Sequence, residues 1–132
     1  MDLGEAVSGR LAIGVGCRQG VSAEAIVRLI ETATAGLAPA AGLFTIEDKR
    51  GEAGLSEAAE RLALPLVFLS RDALAAVADR LVTPSPAALA RFGVASVAEA
   101  AALAALAGRG RLVVPRRAAG GVTVAVAEEV SE

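Results

Sequence analysis

Apolar positions along this chain change period several times, and each change marks an element. Leu11-Ala12-Ile13-Gly14-Val15 is a short apolar run with β-branched residues and reads as a buried strand. From Ser22 onward Ile26, Ile30 and Ala33 recur at helical spacing, so Ser22 is placed to cap a helix over about 22–36. Gly36 and Pro39 break the chain before a second apolar strand over 42–46. Leu55, Ala58, Ala59 and Leu62 define a second helix that Pro65 ends, and Leu66-Val67-Phe68-Leu69 is a third strand. Ser70 caps a third helix with Leu74, Val77 and Leu81 on one face, stopped by the Thr83-Pro84-Ser85-Pro86 run. Ser85 then serves as N-cap, with Pro86 at the first helical position, of a short helix to about residue 92.

Toward the C-terminus, Ser96-Val97-Ala98-Glu99 has the form of a capping box, in which Ser96 and Glu99 satisfy each other's backbone donors. The helix it opens is expected to end at Gly108. Strands over 111–114 and 122–126 follow, joined by a long loop over 115–121 whose Gly120 and Gly121 can take positive φ. That loop places Arg116 and Arg117 near a tip or rim. Alternating strand and helix patterns predict an α/β fold: a single domain with a mostly parallel sheet flanked by helices and a C-terminal β-hairpin. Residues 1–9 carry no period and are expected to fray.

Composition narrows the chemistry. Hydrophobic residues make up 55% of the chain but aromatics only 2%, so Ala, Leu and Val must fill the core. A net charge of −2 and the lack of stacking aromatics argue against nucleic acid as a partner. The longest apolar run, 100–107, is too short to span a bilayer, and no basic region followed by an apolar segment opens the chain. No membrane association is expected, and a cytoplasmic location is. There is no histidine and Cys17 is the sole cysteine, which excludes an intrachain disulfide, a Cys/His zinc site and a Ser-His-Asp triad. No metal and no cofactor are expected. Among twelve arginines Lys49 is the single lysine, and that makes it the informative cation.

In an open α/β sheet, ligands sit beyond the carboxyl ends of the parallel strands. Three segments should therefore share one rim: Cys17-Arg18-Gln19-Gly20, Glu47-Asp48-Lys49-Arg50 and Ser70-Arg71-Asp72. The free N–H groups of the helix opening at Ser22, with Arg18 beside them, favour an anion. The glycines at 14, 16 and 20 give G-x-G-x-x-x-G, which matches neither the dinucleotide fingerprint nor a P-loop. Cys17 lies where its thiol would be acidified, but with no histidine as base the reading is a small packing thiol. Arg116 and Arg117 read equally as a carboxylate clamp or as ordinary arginines of an exposed tip.

Gly14-Val15-Gly16-Cys17-Arg18 with Gly20 and Ser22 is followed in order by Thr45-Ile46-Glu47-Asp48-Lys49 and Leu64-Pro65-Leu66. Then come Ser96-Val97-Ala98-Glu99-Ala100-Ala101-Ala102-Leu103, Val114-Pro115 and Gly120-Gly121-Val122-Thr123-Val124-Ala125. This series resembles the cobalamin-biosynthesis family that comprises CobE and the C-terminal domain of CbiG, with the stand-alone length of the former. The resemblance runs over residues 10–127 and leaves 128–132 as a tail. It departs from the family at 47–48, where Ser-x-Asp-x-Lys is usual, and before Gly120, where Lys and Ser are common.

The resemblance implies a role in corrin-ring construction, binding or carrying a ring-contracted tetrapyrrole that bears many carboxylates. The alternatives are a hydrolase opening the lactone of a precorrin, or a non-catalytic partner of other corrin-pathway enzymes. It leaves open whether the chain is an enzyme, and no catalytic residue is assigned. The expected ligand-binding residues are Gly16, Cys17, Arg18, Gly20, Ser22, Lys49, Arg117, Gly120 and Gly121.

Overall fold

Side chains of the first strand alternate between two cores, and this sorts the helices into two layers. In the computed structural model, which describes residues 10–93, 96–107 and 109–130, β1 spans Leu11–Cys17. Its Leu11, Ile13 and Val15 face a core shared with α1 (Ala23–Thr34) and α2 (Ala53–Leu62). Ala12 turns to a second core, filled by Leu74 of α3 (Arg71–Ala75) and by α5 (Val97–Ala105). The sheet is thus sandwiched between helices. Residues 1–9, expected to fray, lie outside the described residues.

Between these elements run β2 (Ala40–Ile46), β3 (Leu66–Leu69), α4 (Pro86–Phe92), β4 (Gly110–Ala119) and β5 (Val122–Glu129). Strand order is β3-β2-β1-β5-β4. The first three strands are parallel, as their helical crossovers require. The C-terminal hairpin joins antiparallel to β1, which makes this a single-domain α/β fold with a mixed five-stranded sheet.

Small residues set the spacing between β1 and α5. A methyl group at Gly14 would overlap the Ala98 carbonyl oxygen and come within 2.7 Å of the Ala102 nitrogen. Ala98, Ala100, Ala101 and Ala102 are all fully buried, so α5 lies directly on the strand with no long side chain between. The opposite layer uses larger parts, with Ile26, Ile30 and Leu55 fully buried and each contributing roughly 1.5–3 kcal/mol.

Four serine caps form where the sequence places them. Ser22, Ser70, Ser85 and Ser96 accept through Oγ from the N–H of Ala25, Ala73, Ala88 and Glu99 at 3.0–3.3 Å. Two expectations need correction, and a third falls on a residue outside those described. The third helix stops at Ala75: Val77 leaves the helical basin at φ −111°, and a 3-10 turn over Ala78–Arg80 follows. The expected helix end at Gly108 lies outside the described residues, and α5 itself closes at Ala105.

The second correction is the long hairpin loop. Strand β4 continues through Pro115, Arg116 and Arg117 to Ala119, and the connection is only Gly120-Gly121. Their φ values of 60° and 84° are those a tight two-residue hairpin turn demands. Pro115 is tolerated because β4 is an edge strand and its register shifts between Val114 and Arg117, so no ladder donor is needed there. Among the described residues no single helix is long and apolar enough to cross a membrane.

Candidate functional site

Because β5 runs antiparallel to β1, the tight hairpin turn comes back to the end of β1. Cys17 pairs with Val122 and Gly16 with Thr123, and the Arg18 N–H donates to the Gly121 carbonyl at 2.8 Å. Thr45, fully buried, ties β2 to the same place by donating its hydroxyl to the Val15 carbonyl at 2.7 Å. These contacts frame a cleft of about 370 Å³. Its floor and one side are Gly16, Cys17, Arg18 and Lys49, its second side is Arg116, Ala118, Ala119 and the turn through Thr123, and Ser85, Ala88, Phe92, Ser96 and Val97 close the third.

The charge in this cleft has one sign. Among the described residues, Arg18, Lys49 and Arg116 line it and no aspartate or glutamate does. Lys49 sits in a 3-10 turn, Glu47–Lys49, directly after β2 and is 9% exposed. Its ammonium lies 5.6 Å from the centroid of the Phe92 ring, a cation-π contact, and has no carboxylate or hydrogen-bond acceptor among the described residues. The guanidinium groups of Arg18 and Arg116 are likewise unpaired among the described residues. Cations gathered in a concave, partly apolar site create a positive potential that favours an anionic ligand.

Half-buried Cys17 is held in its thiol form. Burial pushes its pKa up, and the opposing pull of Lys49 is smaller. The residue is thus not an activated nucleophile, in agreement with the packing role read from the missing base.

Glu99 does something the capping-box pattern does not anticipate. Ser96 caps Glu99, but the Glu99 carboxylate turns inward, is fully buried, and accepts three backbone N–H groups from distant segments. Oε1 takes Val82 at 2.9 Å and Thr83 at 3.0 Å, and Oε2 takes Arg116 at 2.9 Å. Burial pushes its pKa up, but the Arg116, Thr83 and Val82 donors outweigh this and hold the carboxyl below its ordinary range. One anion therefore fixes both the strap leading into α4 and the irregular part of β4, the two walls that face each other across the cleft.

Of the expected ligand-binding residues, Gly16, Cys17, Arg18, Lys49, Gly120 and Gly121 come together around the cleft. Gly20, Ser22 and Arg117 do not line it. Gly20 donates its N–H to Glu52 Oε1 at 3.0 Å, and Ser22 is occupied as the α1 cap beside a separate groove of about 650 Å³ with Ala25, Leu29 and Gly120. Arg117 pairs in register with Val124, and its neighbour Arg116 is the one that lines the cleft. The Ser70-Arg71-Asp72 segment does not line the cleft, but Arg71 meets the other two expected rim segments at a neighbouring recess lined also by Gln19, Asp48, Lys49 and Arg50. Arg71 donates Nε and Nη2 to the two Asp48 oxygens at 3.1 and 2.6 Å, and this pairing holds the Asp48 carboxyl below its ordinary range.

Sequence reasoning missed Phe92, Ser85 and Ala88. The short helix was legible from its Ser-Pro cap, but nothing in a local pattern tells where α4 docks.

An α/β domain with a cationic cleft at the carboxyl end of its parallel strands is the class to which fold and site assign this chain. Residues 11–127 match the family model described as cobalamin synthesis G C-terminus, and the chain belongs to this cobalamin-biosynthesis family. It is 31% identical over 121 residues to Protein CobE of Sinorhizobium sp, covering 89% of this chain and 79% of that protein. The crystal structure of CobE, a protein from the cobalamin (vitamin B12) biosynthetic pathway, superposes with a TM-score of 0.88 at 36% identity, over 94% of this chain and 93% of that one. The cobalamin biosynthesis protein chiG from Agrobacterium tumefaciens str. C58 is also similar, with a TM-score of 0.69 at 38% identity over 92% and 99% of the two chains.

Proposed function

We propose that this protein binds a polycarboxylate intermediate of corrin-ring synthesis in the cleft, as a carrier or accessory protein of that pathway. The observation that carries this reading is the set of unpaired cations Arg18, Lys49 and Arg116 in a cleft without a carboxylate. Lys49 is decisive among them, because a lysine this buried is normally paired, and among the described residues its ammonium has no ion pair or hydrogen bond and lies over the Phe92 ring. A ring bearing acetate and propionate groups supplies the missing anions. Its apolar body has Val97, Val122, Ala88 and Phe92 to rest on.

Coexpression with early corrin-pathway enzymes tests the reading directly. Purified protein should retain a coloured tetrapyrrole whose absorbance follows the protein through gel filtration, and a Lys49→Ala protein should retain less. A colourless wild-type protein that also fails to shift the spectrum of an added carboxylate-bearing corrinoid overturns it.

A further inference from the structure

Behind the cleft lies a second recess of about 530 Å³, and the two share only Lys49 and Phe92 as a common wall. We propose that this recess is a second anion subsite, taking a carboxylate of the same molecule whose body occupies the cleft; the inference rests on the cleft being the binding site. Arg71 on its wall is paired with Asp48, but two of its cations, Arg50 and Arg91, are oriented by aromatic rings. The Arg50 guanidinium stacks over Phe68 at 4.8 Å, and that of Arg91 lies 5.7 Å from the Phe92 centroid. Stacking uses the face of a guanidinium and leaves its N–H edge free. Neither guanidinium has an ion pair or hydrogen bond among the described residues.

Two acids also line the recess, and each has a partner. Asp48 is held by Arg71 at two points, and Glu52 accepts the Gly20 N–H at 3.0 Å. Lys49 and Arg91 moreover share one ring, Phe92, so two like charges are held near each other, and the acid beside them, Asp48, is bound to Arg71. An anion beside Phe92 relieves that repulsion. The ligand class this defines is a molecule with an apolar body and anionic groups spaced to reach both sides of the Phe92 ring.

Absorbance titration of the wild type, Arg50→Ala, Arg91→Ala and the double variant tests the proposal, using a carboxylate-bearing corrinoid and the same ring with its peripheral carboxylates amidated. Both arginines are exposed, so the variants should fold. The double variant should bind the carboxylate form about tenfold more weakly, with a shallower salt dependence, and the amidated ring should not distinguish it from the wild type. Equal affinity of wild type and double variant for the carboxylate form overturns the subsite while the cleft reading stands, as does an equal loss for both ligands. If the wild type binds neither ligand, the cleft reading fails and this inference with it.

Discussion

Glu99 accepts the backbone N–H of Arg116 at 2.9 Å, and with its other oxygen holds Val82 and Thr83, so a single buried carboxylate spans the two sides of the cleft. Replacing Glu99 by Ala strands three partly buried donors and should destabilise the protein by about 3 kcal/mol or more in urea denaturation. Glu99→Gln keeps the shape but turns an amide N–H₂ toward one of the donors, and should cost about 1–3 kcal/mol. The exchange rates of the Val82, Thr83 and Arg116 amides give a local reading. If they are as slow in Glu99→Gln as in the wild type, the carboxylate is not what protects them.

The same group sets a pH dependence. Its folded pKa lies below the unfolded value of about 4.3, so its stabilisation is fully present above that pH and is lost as pH falls through the lower folded value. Wild type and Glu99→Gln should therefore converge in stability as pH drops below about 4. A constant difference between them from pH 7 to pH 3 contradicts this assignment.

Close approach of α5 to β1 makes Gly14 intolerant of any side chain. Gly14→Ala puts a methyl group against the Ala98 carbonyl and the Ala102 nitrogen, backbone atoms that cannot turn aside. A loss of about 3 kcal/mol or more is expected from thermal or urea unfolding. Gly20→Ala makes a contrasting control: a methyl there meets nothing within 4 Å, and only its φ of 79° resists, so the cost should be smaller, about 1–2 kcal/mol.

What the sequence disclosed and what it hid divide along the range of the interactions. Four serine caps, three parallel strands and the turn glycines are fixed by neighbours within a few residues, and each was legible. Glu99 has a local pattern that names Ser96 as partner, yet its real partners lie 16 and 17 residues away, and only folding brings them near. Pro115-Arg116-Arg117 reads as a loop because Pro and paired charges are loop-like, and an edge strand with an irregular register accommodates both. At the site, the rim residues of β1 and β2 follow from the parallel-sheet rule. Phe92 and Arg116 enter through the docking of α4 and the alternation of β4, which no spacing in the chain specifies.

Lys49 is expected to dominate binding. Lys49→Ala should weaken a carboxylate-bearing corrinoid by about 1.5–3 kcal/mol, the value of one charge-assisted hydrogen bond, and flatten the salt dependence. Lys49→Met retains the stem under Phe92 and separates lost packing from lost charge. If Met binds as tightly as Lys in a spectroscopic titration, the charge plays no part.

Cys17 should behave as a protonated, half-shielded thiol. Its pKa is raised by burial, so alkylation by iodoacetamide at pH 7 should run slower than for a free cysteine and accelerate only at a higher pH than a free cysteine requires. Cys17→Ser should retain ligand binding with at most a modest stability loss. Fast alkylation at neutral pH shows that the Lys49 charge outweighs the burial.

The isolated chain is not expected to open the lactone of a corrin precursor. Hydrolysis needs a water activated by a metal or by a base with a pKa near the working pH, together with donors for the developing oxyanion. Two carboxylates near the cleft are unsuited to that task. Asp48 is held below its ordinary range by two hydrogen bonds from Arg71, and Glu99 is spent on three backbone donors and is held low as well. Cys17 is pushed the other way, toward the neutral thiol. Incubating purified protein with a lactone-bearing intermediate and assaying for the released two-carbon aldehyde should give no product above the uncatalysed background. Metal-independent release by this chain alone would reverse the assignment and make Asp48→Asn the first variant to examine, because separating Asp48 from Arg71 on ligand binding is the simplest way to free a base at this rim.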